Sequence, residues 1–402
     1  MRSLLDMRRK FLGILAVSLV AGFGLSRAAV CQTGQQRSRP FTPGTCGRVD
    51  PTYIRLAEQT GGQPMFMQPS EMAAAGHLMR EATANNTDAL LYATTHPGGQ
   101  SREYTVPTDS TVKRVTFSLS FDAPGTKMTL QRPSGAAVTS GEGGVEVSEW
   151  TCGRIVTLGS PEKGIWRVQL IGTGRFWLRA VAQSELYILS VEFVRLGGRP
   201  GHEGYFKIPG QPLAGRSQTL QATVSGALQS AKFKLVSVDG ETIQPATMQE
   251  ESSDPEDHEY LGTLTLPDRP FRVAVSGLDG NGLPYQRMYL TQFRGTTVEI
   301  APSNRIEDLG AGTTNTLTFI VRNYGETASF RILAVDNRGS ILPTEPAEVA
   351  LASGASAQIK VDVNVPPGTA PGTGVSVTIT ATSTTNPEIN NGTSAQLSVG
   401  GP

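Results

Sequence analysis

The 402 residues carry 35 basic and 35 acidic side chains, so no net field draws the chain to nucleic acid or to an acidic polymer. With 45 Gly, 26 Pro and 6% aromatic residues, the composition is that of short strands joined by many turns, and the length exceeds one ordinary β-sandwich core.

At the start, Arg2, Arg8, Arg9 and Lys10 precede an apolar stretch from Phe11 to Leu25, followed by the small residues Ser26 and Ala28. That order predicts a cleavable secretory signal over residues 1–28, and hence a secreted, extracellular or cell-envelope protein. An uncleaved anchor is the alternative, although the apolar run is short against the roughly 20 residues that a bilayer requires. Lipidation at Cys31 is a third, with Val30 a poor neighbour for it. No later stretch is apolar enough to span a membrane, so the mature chain is expected not to be membrane-spanning.

Three cysteines, Cys31, Cys46 and Cys152, follow the expected cleavage point. In an oxidising compartment the preferred bridge is Cys46 to Cys152, which would tie the N-terminal lead-in to the first β domain. Cys31 to Cys46 remains open as the competing pair.

Residues 29–100 are read as an extended lead-in and an α/β remnant with two helices. Tyr53, Leu56 and Ala57 share one side of a helix over Pro51 to Glu58, and Gly61 with Gly62 stops it. QPMFMQP supplies a short strand. Ser70 then caps a helix from Glu71 to about Tyr92, whose apolar face runs through Met72, Ala75, Leu78, Met79, Ala82, Leu90 and Leu91.

From 101 to 199 the period changes to two. Val115, Phe117, Leu119 and Phe121 alternate, as do Trp166, Val168 and Leu170, then Phe176, Leu178 and Ala180, and Tyr187, Leu189, Val191 and Phe193. Similar runs fill 200–300 and 301–402, for instance Leu220, Ala222 and Val224, then Leu317, Phe319 and Val321, and Ile359, Val361, Val363 and Val365. The fold class is therefore mainly β: tandem β-sandwich (immunoglobulin-like) domains after a short α/β remnant, with boundaries near 199/200 and 300/301.

Few residues invite chemistry. His258 lies beside Asp254, Glu256, Asp257 and Glu259, an acidic turn that offers oxygen ligands to calcium but no fixed coordination. LDGNG, Leu278 to Gly282, lacks the remaining ligands of a calcium loop and reads as a tight turn. Ser134 and Ser160 sit in turn sequences with no base partner, so no catalytic, cofactor or metal residue is assigned. Trp177 has the opposite strand parity to Phe176 and Leu178, which makes it the candidate for an outward-facing sugar platform.

YIRLAEQTGGQPMFM resembles the last helix and strand of a von Willebrand factor type A domain. REYTVPTDSTVKRVTFSLSF, MTLQRPSG, GIWRVQL and ELYILSVEF resemble the β domain that follows this module in hemicentin and related secreted proteins. NTLTFIVRNYGETASFRILAVDNRG with GASAQIKVDVNVPPGTAPGT is similar to the immunoglobulin-like domains attached to such proteins. The metal-binding part of the A domain, with its Asp-x-Ser-x-Ser loop, has no counterpart here, so metal-dependent adhesion does not carry over unless a companion chain supplies it. The resemblance implies a noncatalytic adhesion or structural protein whose partner is an extracellular or envelope protein. A carbohydrate-binding or calcium-dependent binding protein is the alternative, with a glycan as partner in the first case.

Overall fold

The computed structural model describes residues 46, 49–82, 87–253, 257–303, 308–342 and 346–400. The signal-like start and Cys31 lie outside the described residues. The chain divides into two compact units: one reaching to Val191 with Gln221–Gly262 and Phe271–Gln292, the other made of Glu192–Leu220, Thr263–Pro270 and Phe293–Pro402.

In the first unit, helix α1 spans Pro51–Gln59. Its start follows from local chemistry: Pro51 needs no amide partner in the first turn, and the Asp50 carboxylate accepts from the Thr52 amide at 2.8 Å. Gly61 follows with φ +76, where a side chain would be strained and its Cβ would stand 2.5 Å from that of Leu290. A 3-10 turn, Pro69–Ala74, then leads into helix α2, Ala75–Ala82. The Gln68 amide donates to Glu71 Oε2, so the turn opens at Gln68 and not at the expected cap Ser70.

Two sequence expectations fail here. Residues 63–68 carry no strand, and the second helix does not run on to Tyr92. Leu90 and Leu91 lie in strand β1, Thr87–Thr95, whose buried run on both faces hides the two-residue period. The strands that follow are β2 (Ser101–Thr108), β3 (Arg114–Phe121), β4 (Lys127–Gln131) and β5 (Val145–Trp150). Next come β6 (Gly153–Gly159), β7 (Gly164–Ile171), β8 (Phe176–Gln183), β9 (Tyr187–Gly197), β10 (Gly204–Lys207) and β11 (Ser217–Ser225). The remainder of the middle stretch gives β12 (Leu228–Val236), β13 (Thr242–Ala246), β14 (Gln249–Ser253), β15 (Asp257–Thr265), β16 (Pro270–Asp279) and β17 (Pro284–Arg294).

Nine of these strands form one sheet in the order β13-β12-β16-β17-β1-β8-β3-β6-β5, and β2-β7-β4 form a second. Phe117, Trp166, Val168, Leu170, Phe176 and Leu178 are buried in the core, as the alternation required. The sheet passes directly from β1 to β17, and Val236, Ala274 and Met288 join the same core. Residues 200–300 are thus shared between the two units rather than closed as a sandwich of their own.

The second unit ends in a sandwich built from β18 (Val298–Pro302), β19 (Asp308–Leu309), β20 (Thr314–Asn323) and β21 (Ala328–Asp336), with β22 (Glu348–Leu351), β23 (Ser356–Asn364), β24 (Gly374–Ser383) and β25 (Asn390–Val399). Sheets β18-β20-β23 and β19-β25-β24-β21-β22 enclose Phe319, Val321, Phe330, Ile332, Val361 and Ile379. Val298 and Ile300 belong to this core, so the expected boundary at 300/301 falls inside β18.

Candidate functional site

Cys46 is bonded to Cys152. The bond ties the segment before α1 to the turn between β5 and β6. From there the chain runs as a strap over one face of the large sheet, and polar contacts hold it. Gln63 Nε2 donates to Trp177 O at 2.7 Å and Ser118 O at 3.2 Å, and Gln63 Oε1 accepts from Ser118 Oγ at 2.6 Å. Tyr92 Oη donates to Gly62 O at 3.1 Å, and Trp150 Nε1 to Phe66 O at 2.9 Å.

This strap overturns the sugar-platform expectation for Trp177. The face that strand parity assigns to Trp177 is covered, not solvated, and the residue is fully buried. Its Nε1 donates to Glu58 Oε1 at 2.7 Å, and the Arg175 guanidinium lies 4.9 Å from the ring centroid. Trp150 and Trp166 are buried too, so none of the three tryptophans is presented to a glycan.

Helix α2 brings His77 into a polar cluster that sequence order conceals. Nδ1 lies 2.8 Å from Ser148 Oγ and Nε2 3.0 Å from Thr157 Oγ1. Glu81 accepts from Thr116 Oγ1 at 2.6 Å and from Arg114 at 2.9 Å, while Glu146 pairs with Arg80 at 2.7 Å. Burial pushes the His77 ring below its ordinary 6.5, outweighing the neighbouring carboxylates Glu81 and Glu146. A serine beside a histidine suggests a nucleophile, yet the second ring nitrogen meets a hydroxyl, and Glu81 stands 3.8 Å away. The cluster docks α2 on β3, β5 and β6. Its members are far apart in sequence, and only the i, i+4 spacing of His77 and Glu81 could have hinted at it.

The remaining sequence candidates lie in turns or on strands, and Asp257, His258 and Glu259, expected in an acidic turn, open strand β15. Asp279 accepts from Ser110 N and Oγ, Asn281 N and Leu283 N, so backbone and hydroxyl donors saturate it within the DGNG turn. Ser134 N donates to Glu162, and Ser160 sits at φ 48. His258 Nδ1 is 2.7 Å from Glu250 Oε1; Asp254 and Glu256 lie outside the described residues. Among the described residues no group of three or more His, Cys, Asp or Glu could hold a metal ion.

The surface feature that stands out belongs to the second unit. β10 ends its sheet and pairs antiparallel with β9, placing Tyr205 opposite Leu196 and Phe206 opposite Arg195. Leu196, Tyr205 and Phe206 are 65%, 45% and 54% exposed. Charged pairs border them, Lys207 with Glu192 at 3.1 Å and Arg195 with Glu299 at 3.5 Å. Tyr205 and Leu196 share one face of this edge and Phe206 with Arg195 the other, so the open strand edge exposes apolar side chains on both of its faces, as an edge that docks an extended partner would.

Residues 88–185 match the family model described as hemicentin galactose-binding domain-like, and residues 300–399 match the VWA7 Ig-like domain. The chain carries a hemicentin-type domain and an immunoglobulin-like one. The hemicentin-type match begins inside β1, in agreement with the strand found there. Over 249 residues the chain is 23% identical to hemicentin-1 of Mus musculus and 22% identical to hemicentin-1 of Homo sapiens, covering 60% of this chain in each case. It spans 4% of the length of these relatives. Among solved structures, a DUF4785 family protein of Legionella pneumophila aligns with 78% of this chain and 91% of its own, at 8% identity and a TM-score of 0.37. Among the described residues no helix is long and apolar enough to cross a membrane.

Proposed function

We propose that this chain is a noncatalytic adhesion or structural module that acts outside the cell or in its envelope and engages a protein through the β9–β10 hairpin. The hemicentin-like segment supports an extracellular or envelope location. The observation that carries the docking role is the exposure of Tyr205 and Phe206 on the terminal strand β10 and of Leu196 beside Tyr205 on β9, because burying such side chains against a partner recovers about 25 cal/mol per Å² of apolar surface. An extended partner segment beside β10 would also satisfy its free backbone groups. The sugar-binding alternative finds no exposed tryptophan to support it. A photo-crosslinking amino acid at position 205, introduced in the producing cell, tests the assignment. One discrete protein adduct, lost when Phe206→Asp is added, is the expected result, and the absence of any adduct contradicts it.

A further inference from the structure

Arg287 shows how this fold satisfies a buried arginine. Its Nε donates to Leu186 O at 2.7 Å, Nη1 to Gln286 O at 2.9 Å, and Nη2 to Asp109 Oδ2 at 2.7 Å and Ser184 Oγ at 3.0 Å. Two other arginines on the same sheet are treated differently. Arg179 on β8 and Arg272 on β16 are 8% and 1% exposed, and among the described residues neither forms an ion pair. Arg179 Nε and Arg272 Nη1 are buried without a hydrogen-bond partner.

Both guanidinium groups interact electrostatically with one side chain, Tyr92. Arg179 is the register partner of Tyr92, and the Arg272 guanidinium carbon lies 4.0 Å from the centroid of that ring. Arg272 is held by backbone acceptors, Nε on Leu290 O at 3.0 Å and Nη2 on Glu58 O at 2.7 Å, and by the Tyr92 side chain, while Nη1 has no acceptor at hydrogen-bond geometry. The strap passes beside them through the Tyr92 hydroxyl's bond to Gly62 O. Arg179's nearest acidic influence, Asp88, spends its oxygens on the Ala89 and Ile188 amides at 2.9 Å each, and burial pushes its carboxyl up to about 6. Burial also lowers Arg179, to about 10, which leaves it charged at neutral pH.

A buried cation with an orphaned N–H is costly, and two of them around one ring also repel each other. We propose that Arg179 and Arg272 together bind a small oxyanion, a sulfate, phosphate or carboxylate group, enclosed between the sheet and the strap. Such a group supplies what the protein withholds: negative charge, and oxygen acceptors that suit the planar guanidinium. Because both arginines are buried, an anion held there is shielded from solvent.

Selenate, a sulfate analogue with an anomalous signal, is the probe. Crystals of the intact chain grown with selenate are expected to show an anomalous peak within hydrogen-bond distance of Arg179 Nε and Arg272 Nη1; a peak elsewhere only, or none, overturns the site. In solution, the unfolding midpoint of the wild type is expected to rise by a few degrees and saturate in millimolar sulfate, phosphate or glucuronate, with sodium chloride of equal ionic strength as control. The rank order of the three tells inorganic oxyanion from carboxylate. Sulfate stabilises most proteins by exclusion, so the deciding quantity is the difference between variants. Arg179→Gln is expected to abolish the saturable gain and Arg179→Lys to retain part of it; an equal gain in wild type and Arg179→Gln overturns the proposal.

Discussion

Arg287 and Asp109 have side chains with no exposure at all, and their ion pair joins β17 to the turn after β2. Removing one partner strands a charge in the interior, so Arg287→Met is expected to cost about 3–5 kcal/mol in denaturant unfolding. Arg287→Met with Asp109→Leu should recover much of that loss, because the desolvation penalty goes with both charges; a double variant no better than the single would contradict this. His77 makes a second prediction, with a definite sign. Its ring is held below 6.5 in the folded state while the unfolded chain titrates near 6.5, so its contribution to stability is lost as pH falls through that value. Asp88 works in the opposite sense: raised to about 6 from 3.8, it costs stability as pH rises through that window. The test is therefore the wild type minus His77→Gln difference measured at pH 7.5 and 5. It should shift against the wild type on acidification, and a pH-independent difference would remove His77 from the account.

At the scale of elements, the strap from Cys46 to α2 converts an exposed sheet face into an interior one. The Cys46–Cys152 bond closes a separation of 106 residues, and its removal by Cys46→Ser with Cys152→Ser is expected to cost about 2–5 kcal/mol. Unfolding of the wild type with and without reductant checks it, and no change on reduction would contradict it. The strap also explains which parts of the fold were legible. Strand β7, one face buried and one exposed, alternates in its residues and could be read directly. Strands β1, β3 and β8 are buried on both faces, so Leu90 with Leu91 passed for helix and Trp177 for an outward ring. The polar residues that receive the strap, Ser118, Ser120 and Thr116, carry the signature of solvent in sequence because their partners lie more than 30 residues away.

For the whole molecule, the covalent tie lies in the first unit, and the C-terminal sandwich rests on hydrophobic burial. A fragment from residue 293 to 402 keeps β18 and is expected to unfold cooperatively with a β-rich spectrum. One starting at 301 loses Val298 and Ile300, each worth about 1.5–3 kcal/mol of burial, and should be markedly less stable; equal stability of the two would place β18 outside the core. The middle strands were not legible as parts of other domains, since periodicity reports which face is buried and not which strand lies alongside. Binding without turnover is the reading to which exposed hairpin, buried tryptophans and hemicentin-like segment all contribute. The most direct measurement is affinity capture from the native extracellular fraction, repeated with a chelator and with competing glycans. A specific protein retained under both challenges, and lost with Phe206→Asp, is the predicted result. Release by glycan or by chelator, or capture indifferent to the hairpin, would contradict it.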